Sequence, residues 1–153
     1  MITEGNILII DDDPLLLMNY ADLLIDNGYN VTEANSYTQG KNYSSTQSFD
    51  IIICDHDLGD GKGIELIKTW IKTNYISPVI FLTGADAQII KEANELPNVV
   101  AALPKPISEE KILELVKDNI KTNANDKYPK LIEDDERDEL LSCFNILTEM
   151  DNE

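Results

Sequence analysis

At 153 residues, 42% hydrophobic and 27% charged, the chain has the size of one ordinary domain plus an appendage, and the balance of a soluble globular protein. Its formal net charge is −17, with −10 in residues 1–122 and −7 in residues 123–153, which repels a phosphate backbone and argues against direct nucleic-acid binding. The apolar runs are too short for a membrane span, no basic signal-peptide region opens the chain, and two cysteines (Cys54 and Cys143) make no disulfide framework, so a reducing cytoplasm is the expected setting.

Asn6 to Ile10 is a short continuous apolar run, the pattern of a strand buried on both faces. It ends in Asp11-Asp12-Asp13-Pro14. Asp13 suits a helix N-cap and Pro14 the first helical position, whereas Asp11 and Asp12 have no capping duty. Leu15 to Asn27 carries apolar residues at helical spacing, and Gly28 stands as the stop. Tyr29 to Ala34 is a weaker strand. Ser36 to Gln47 is a poor helix by propensity, with Gly40 and many Ser and Thr; alternation of strand with helix nevertheless predicts one there.

Ile51-Ile52-Ile53-Cys54 is a third buried strand, with Cys54 read as a small apolar core residue. Asp55 follows, and then a loop rich in Asp and Gly. Gly61-Lys62-Gly63 leads into an amphipathic helix carrying Ile64, Leu66, Ile67, Trp70 and Ile71. Pro78 to Leu82 is the fourth strand, ending at Thr83-Gly84-Ala85. Asp86 to Glu95 is a short helix stopped by Pro97. Val99 to Leu103 is the fifth strand, ending at Pro104-Lys105-Pro106, and Ser108 caps a last helix with an apolar stripe from Ile112 to Ile120. The pattern is α/β: five strand–helix units over residues 1–122, forming a doubly wound five-stranded parallel sheet. Residues 123–153 read as a linker followed by an acidic amphipathic helix, helical in spacing from Leu140 onward. That tail would be a sixth packed helix, a dimerisation helix giving a homodimer, or the start of a connector.

In such a sheet the strand ends carrying Asp11-Asp12, Asp55, Thr83 and Lys105 lie along one edge, where ligands bind. Three converging carboxylates need a hard divalent cation, and Mg²⁺ (or Mn²⁺) suits oxygen ligands shared with water and a phosphate. A lysine and a threonine hydroxyl opposite them would take a developing phosphoryl charge. Carboxylates are also known phosphoryl-accepting nucleophiles.

The acidic pair after the first strand, the D-x-x-x-x-D of Asp50 to Asp55, the T-x-A of Thr83 to Ala85 and the K-P of Lys105-Pro106 together resemble the receiver domain of two-component response regulators. The resemblance covers residues 5 to 122. It implies a flavodoxin-like sheet of order 2-1-3-4-5 and a Lys105–Pro106 bond in cis. It implies that Asp55 accepts phosphate and that Asp11, Asp12, Asp55 and the backbone carbonyl of Asp57 hold the metal. Thr83 and Lys105 would hold the phosphoryl group. The implied donor is a phosphohistidine on a histidine kinase or histidine phosphotransfer protein, and the implied output is contact with a downstream protein target. On this reading the domain is not an enzyme on other substrates; it catalyses only its own aspartyl phosphorylation and dephosphorylation.

Departures from the family pattern are specific. The usual aromatic three residues before the lysine is Ala102, which puts the usual threonine–aromatic switch in doubt. The usual proline of the loop after the acceptor is Gly59, which would leave that loop more mobile. Asp57 and Ala85 occupy the positions that tune water's access to the acyl phosphate. His56, the one histidine, reads as a loop residue beside the site rather than a ligand. A haloacid dehalogenase-type phosphatase would share the D-x-D of Asp55 to Asp57. That family, however, places this motif on its first strand and its further acidic pair after the lysine. A pseudo-receiver used only for binding is disfavoured because the core residues are intact.

Overall fold

The computed structural model describes residues 4–84 and 86–124. Five strands and five helices alternate: β1 (Asn6–Ile10), α1 (Pro14–Asp26), β2 (Asn30–Ala34), α2 (Tyr37–Thr46), β3 (Ile51–Asp55), α3 (Gly63–Lys72), β4 (Val79–Thr83), α4 (Ala87–Asn94), β5 (Val99–Pro104) and α5 (Glu109–Ala124). The strands form one parallel sheet in the order β2-β1-β3-β4-β5. The expected fold class and strand order both hold, and α5 continues to Ala124, two residues past the expected boundary at 122. The tail from residue 125 and Ala85 lie outside the described residues.

The sheet is buried on both sides, which is why its central strands read as unbroken apolar runs rather than alternating ones. Every residue of β3 and β4 is buried. Alternate side chains divide between two cores. Leu8, Ile10, Ile52, Cys54, Val79, Phe81 and Ala102 pack with Leu66, Ile67 and Trp70 of α3. Ile7, Ile9, Ile51, Ile53, Ile80 and Leu82 pack with α1 and α5 through Leu17, Tyr20, Leu24, Ile112 and Val116.

The helix ends follow from local chemistry. The Asp13 carboxylate accepts from the Leu15 and Leu16 amides at 3.0 and 3.4 Å, with Pro14 in the first turn. Gly28 (φ +94°) lets the chain reverse so that its own N–H reaches the Ile25 carbonyl at 3.0 Å and that of Tyr29 reaches Leu24 at 3.1 Å. The helix of poor propensity, α2, is held by tertiary contacts. Ser36 caps it at Gln39, and the Asp60 carboxylate from the β3–α3 loop accepts from the Tyr37 and Thr38 amides at 2.7 and 3.0 Å. On its inner side the Trp70 indole N–H donates to Ser44 Oγ at 2.9 Å. Propensity is a weak prior, and here packing overrides it.

Candidate functional site

The carboxyl ends of β1, β3, β4 and β5 deliver the predicted residues to one place. Asp11 (2% exposed) follows β1, and its amide donates to the Ala34 carbonyl, which carries the ladder one residue past Ile10. Asp55 (6% exposed) is the last residue of β3. Thr83 is buried at the end of β4, and its carbonyl accepts the Lys105 amide at 2.7 Å, fixing the β5–α5 turn against β4. The Lys105–Pro106 bond is cis.

Asp11, the exposed Asp12 and Asp55 each offer a carboxylate oxygen, all within 4.8 Å of one another. Lys105 Nζ reaches across the sheet edge to Asp55 Oδ1 at 3.0 Å and Asp11 Oδ2 at 3.2 Å. The second oxygen of Asp11 accepts the Asp13 amide at 2.9 Å, and Asp55 Oδ1 also accepts the His56 amide at 2.9 Å. Burial pushes the Asp55 carboxyl up to about 6; the Lys105 hydrogen bond opposes this and the Asp11 charge adds to it. Burial alone would lower the Lys105 ammonium, but its hydrogen bond to Asp55 and the charge of Asp11 outweigh it and hold it above the ordinary range. One half-buried cation thus faces two buried anions, with Asp12 at the solvent edge. An all-oxygen donor set with surplus negative charge fits a hard divalent cation. Tyr20 of α1 is buried; burial raises its hydroxyl pKa, and Lys105, Asp11 and Asp55 all act on it electrostatically.

The loop after Asp55 is built on close contacts. A Cβ on Gly63 would collide with the Asp55 backbone carbonyl, so a glycine is needed where α3 starts under β3. The Gly63 amide donates to the His56 carbonyl at 2.6 Å, and the Leu58 amide to the Gly61 carbonyl at 3.1 Å. Gly59 takes a positive φ (+76°). Asp60 ties the loop to the start of α2, as described above.

The structure adds pairings that spacing did not predict. The Asp57 side chain is exposed and engaged by Lys62 Nζ at 2.6 Å, which lowers its carboxyl pKa. Lys68 is buried between helices, with Glu92 of α4 at 2.8 Å and Glu65 at 3.7 Å. His56, read as a loop residue, is also buried: its ring stands edge-on to Phe81 at 5.5 Å, its Nδ1 has no hydrogen-bond partner among the described residues, and burial lowers its pKa. Ala102 sits opposite Phe81 in the β4–β5 register and is 5% exposed, so that row carries no second aromatic ring.

Comparison with known proteins agrees with this geometry. A family model described as the response regulator receiver domain matches residues 7–117. The transcriptional regulatory protein GlrR of Escherichia coli is 27% identical over 120 residues, covering 78% of this chain and 27% of that protein. The heme response regulator HssR of Staphylococcus saprophyticus is 30% identical over 110 residues, covering 72% and 49%. The chain therefore spans about a quarter to a half of the length of these curated relatives. Among solved structures, a CheY-like receiver domain from Methanospirillum hungatei superposes with a TM-score of 0.72 at 26% identity, over 79% of this chain and 97% of that one. The receiver domain of the Francisella response regulator 1452 superposes with 0.74 at 25% identity, over 78% and 98%.

Proposed function

Because the chain belongs to the response regulator receiver family, we propose that it is a phosphorylation switch in which Asp55 accepts a phosphoryl group from a phosphohistidine. The observation that carries this reading is the convergence of Asp11, Asp12 and Asp55 within 4.8 Å with Lys105 bridging Asp11 and Asp55.

Asp11, Asp12, Asp55 and the backbone carbonyl of Asp57 would hold Mg²⁺ or Mn²⁺. When bound, the cation supplies positive charge that offsets the carboxylates and stabilises the oxygens of the transferring group. The nucleophile is an Asp55 carboxylate oxygen. An O–P bond forms as the donor's N–P bond breaks, and the imidazole leaves carrying the electron pair, then takes a proton. Lys105 lies within 3.0 Å of the acceptor oxygen, so its ammonium balances charge on the phosphoryl group without moving far. The Thr83 hydroxyl is assigned to a phosphoryl oxygen. Attack requires ionised Asp55; with a carboxyl near 6 it is mostly ionised at neutral pH. Loss of the group is hydrolysis: water oxygen bonds to phosphorus and the O–P bond to Asp55 breaks. Asp57, Ala85 and the Lys62 tether on Asp57 are assigned to the lifetime of the adduct.

The receiver occupies residues 1–122, with α5 running on to Ala124, and 123–153 form an extension of it or the start of a connector. The donor is a histidine kinase or histidine phosphotransfer protein, and the output is contact with a protein target in the cytoplasm. No described helix is long and apolar enough to cross a membrane. With Ala102 beside Phe81, the change reaches the β4–β5 face without a rotating aromatic at that position. Intact mass after incubation with Mg²⁺ and acetyl phosphate tests the reading. One added phosphoryl group, lost in EDTA and in Asp55→Asn, is expected. A modification that survives Asp55→Asn would overturn it.

A further inference from the structure

Helix α1 buries Leu17, Tyr20, Ala21 and Leu24 against the sheet. It leaves Leu15, Met18 and Ile25 at 61%, 50% and 52% exposure, and these are the exposed large apolar side chains among the described residues. Scattered singly, such residues need no explanation; three on one helix, at i, i+3 and i+10, form a stripe. Asp22 lies within it and the exposed Asp26 at its edge.

The chain leaves α5 at the foot of this stripe. α1 and α5 follow parallel strands on the same face of the sheet, so both end at the edge opposite the acidic cluster. There a cavity of about 280 Å³ is lined by Asn27 and Tyr29 just past α1, by Lys117 and Ile120 of α5, and by Glu4. Beyond Ala124, the sequence Leu140-Leu141-Ser142-Cys143-Phe144-Asn145-Ile146-Leu147 carries no charged residue, although it is bounded by acids. Its apolar positions 140, 141, 144 and 147 have the spacing of one helical face. An uncharged segment brings no like charge to Asp22. Leu15 to Ile25 covers about 15 Å of helix, and residues 140–147 would cover about 10 Å, most of that length. The intervening residues 125–139 have a coil dimension of roughly 20 Å. Tethering at that length gives an effective concentration on the order of millimolar, enough to populate a weak apolar contact.

We propose that residues 140–147 of this chain dock along Leu15, Met18 and Ile25 of α1. The docked segment covers the apolar stripe and runs toward the helix end that follows Asp11 and Asp12. It does not depend on the phosphoryl chemistry, so it stands or falls separately from it. The test uses the full chain, ¹⁵N-labelled, with a nitroxide on Asn145→Cys in a Cys143→Ser background. Position 145 falls off the apolar face at helical spacing, and the other cysteine, Cys54, is fully buried and inert to the label. Amides of Leu15 to Ile25 are expected to broaden while those of α3 and α4 stay sharp, and Met18→Asp, at a half-exposed position, is expected to abolish the effect. Unbroadened α1 amides would overturn the proposal and leave the stripe to a partner protein. Broadening that persists when the nitroxide is carried on unlabelled chains mixed with spin-free ¹⁵N chains would overturn it in favour of a second copy.

Discussion

Replacing Asp55 should make the metal-free protein more stable. Asp55 is 6% exposed, faces Asp11, and has its carboxyl raised from 3.8 to about 6, with burial the largest cause. A carboxyl raised by folding is a carboxylate the folded state tolerates poorly. Between pH 3.8 and about 6 the native protein binds a proton that the unfolded chain does not, so stability falls as pH rises through that window. Above it the full penalty is present; below it the penalty vanishes. At about 1.36 kcal/mol per pH unit, the window amounts to about 3 kcal/mol. The amide introduced by Asp55→Asn would carry no charge but would keep an oxygen for the His56 amide and Lys105, with weaker bonds, so the expected net gain is about 1–3 kcal/mol. Urea unfolding in EDTA at about pH 7.5, followed through Trp70, should show Asp55→Asn more stable than the native sequence, with the gap closing by about pH 4. Equal or lower stability of the variant at neutral pH, or a gap independent of pH, would refute the reasoning. Adding Mg²⁺ should stabilise the native sequence more than the variant, since the cation offsets the charge that the variant lacks.

Three further outcomes follow from named contacts. Ser44→Ala leaves the buried Trp70 indole N–H without its acceptor and should cost about 1–3 kcal/mol in urea unfolding, with a shifted Trp70 emission. Gly63→Ala drives a Cβ into the Asp55 carbonyl; about 1–3 kcal/mol of stability should be lost, together with weaker Mg²⁺ binding measured by fluorescence titration. Asp57→Asn weakens the Lys62 tether on an exposed pair, so stability should move by less than about 1 kcal/mol while the half-life of the phosphorylated form, read by intact mass over time, changes several-fold.

Much of the site was legible because it sits where strands stop. Apolar runs that end abruptly in Asp11, Asp55, Thr83 and Lys105 mark the carboxyl edge of a parallel sheet, and topology alone brings that edge together. What spacing did not predict was which side chains meet across loops. The Asp60 carboxylate caps α2 from 22 and 23 residues away, and this contact turns a sequence of low helix propensity into a helix. The Lys68 ammonium is buried against Glu92, 24 residues on, though a lysine within an amphipathic pattern reads as exposed. His56 lies in the loop after β3, as its place beside the site suggested, but spacing did not show its burial. It is buried because β3 parity turns it toward the α3 core, where the edge of Phe81 receives the ring. In each case the deciding partner lies far off in the chain, and composition carries no trace of the pairing.

The claim that matters most is that Asp55, and none of its acidic neighbours, carries the phosphoryl group. Borohydride reduction converts an aspartyl phosphate to homoserine, which marks the position permanently. After phosphorylation by acetyl phosphate with Mg²⁺, reduction and peptide sequencing by mass spectrometry should find homoserine at position 55 alone, and none when EDTA is present. Homoserine at Asp11, Asp12 or Asp57, with Asp55 intact, would contradict the assignment of the acceptor.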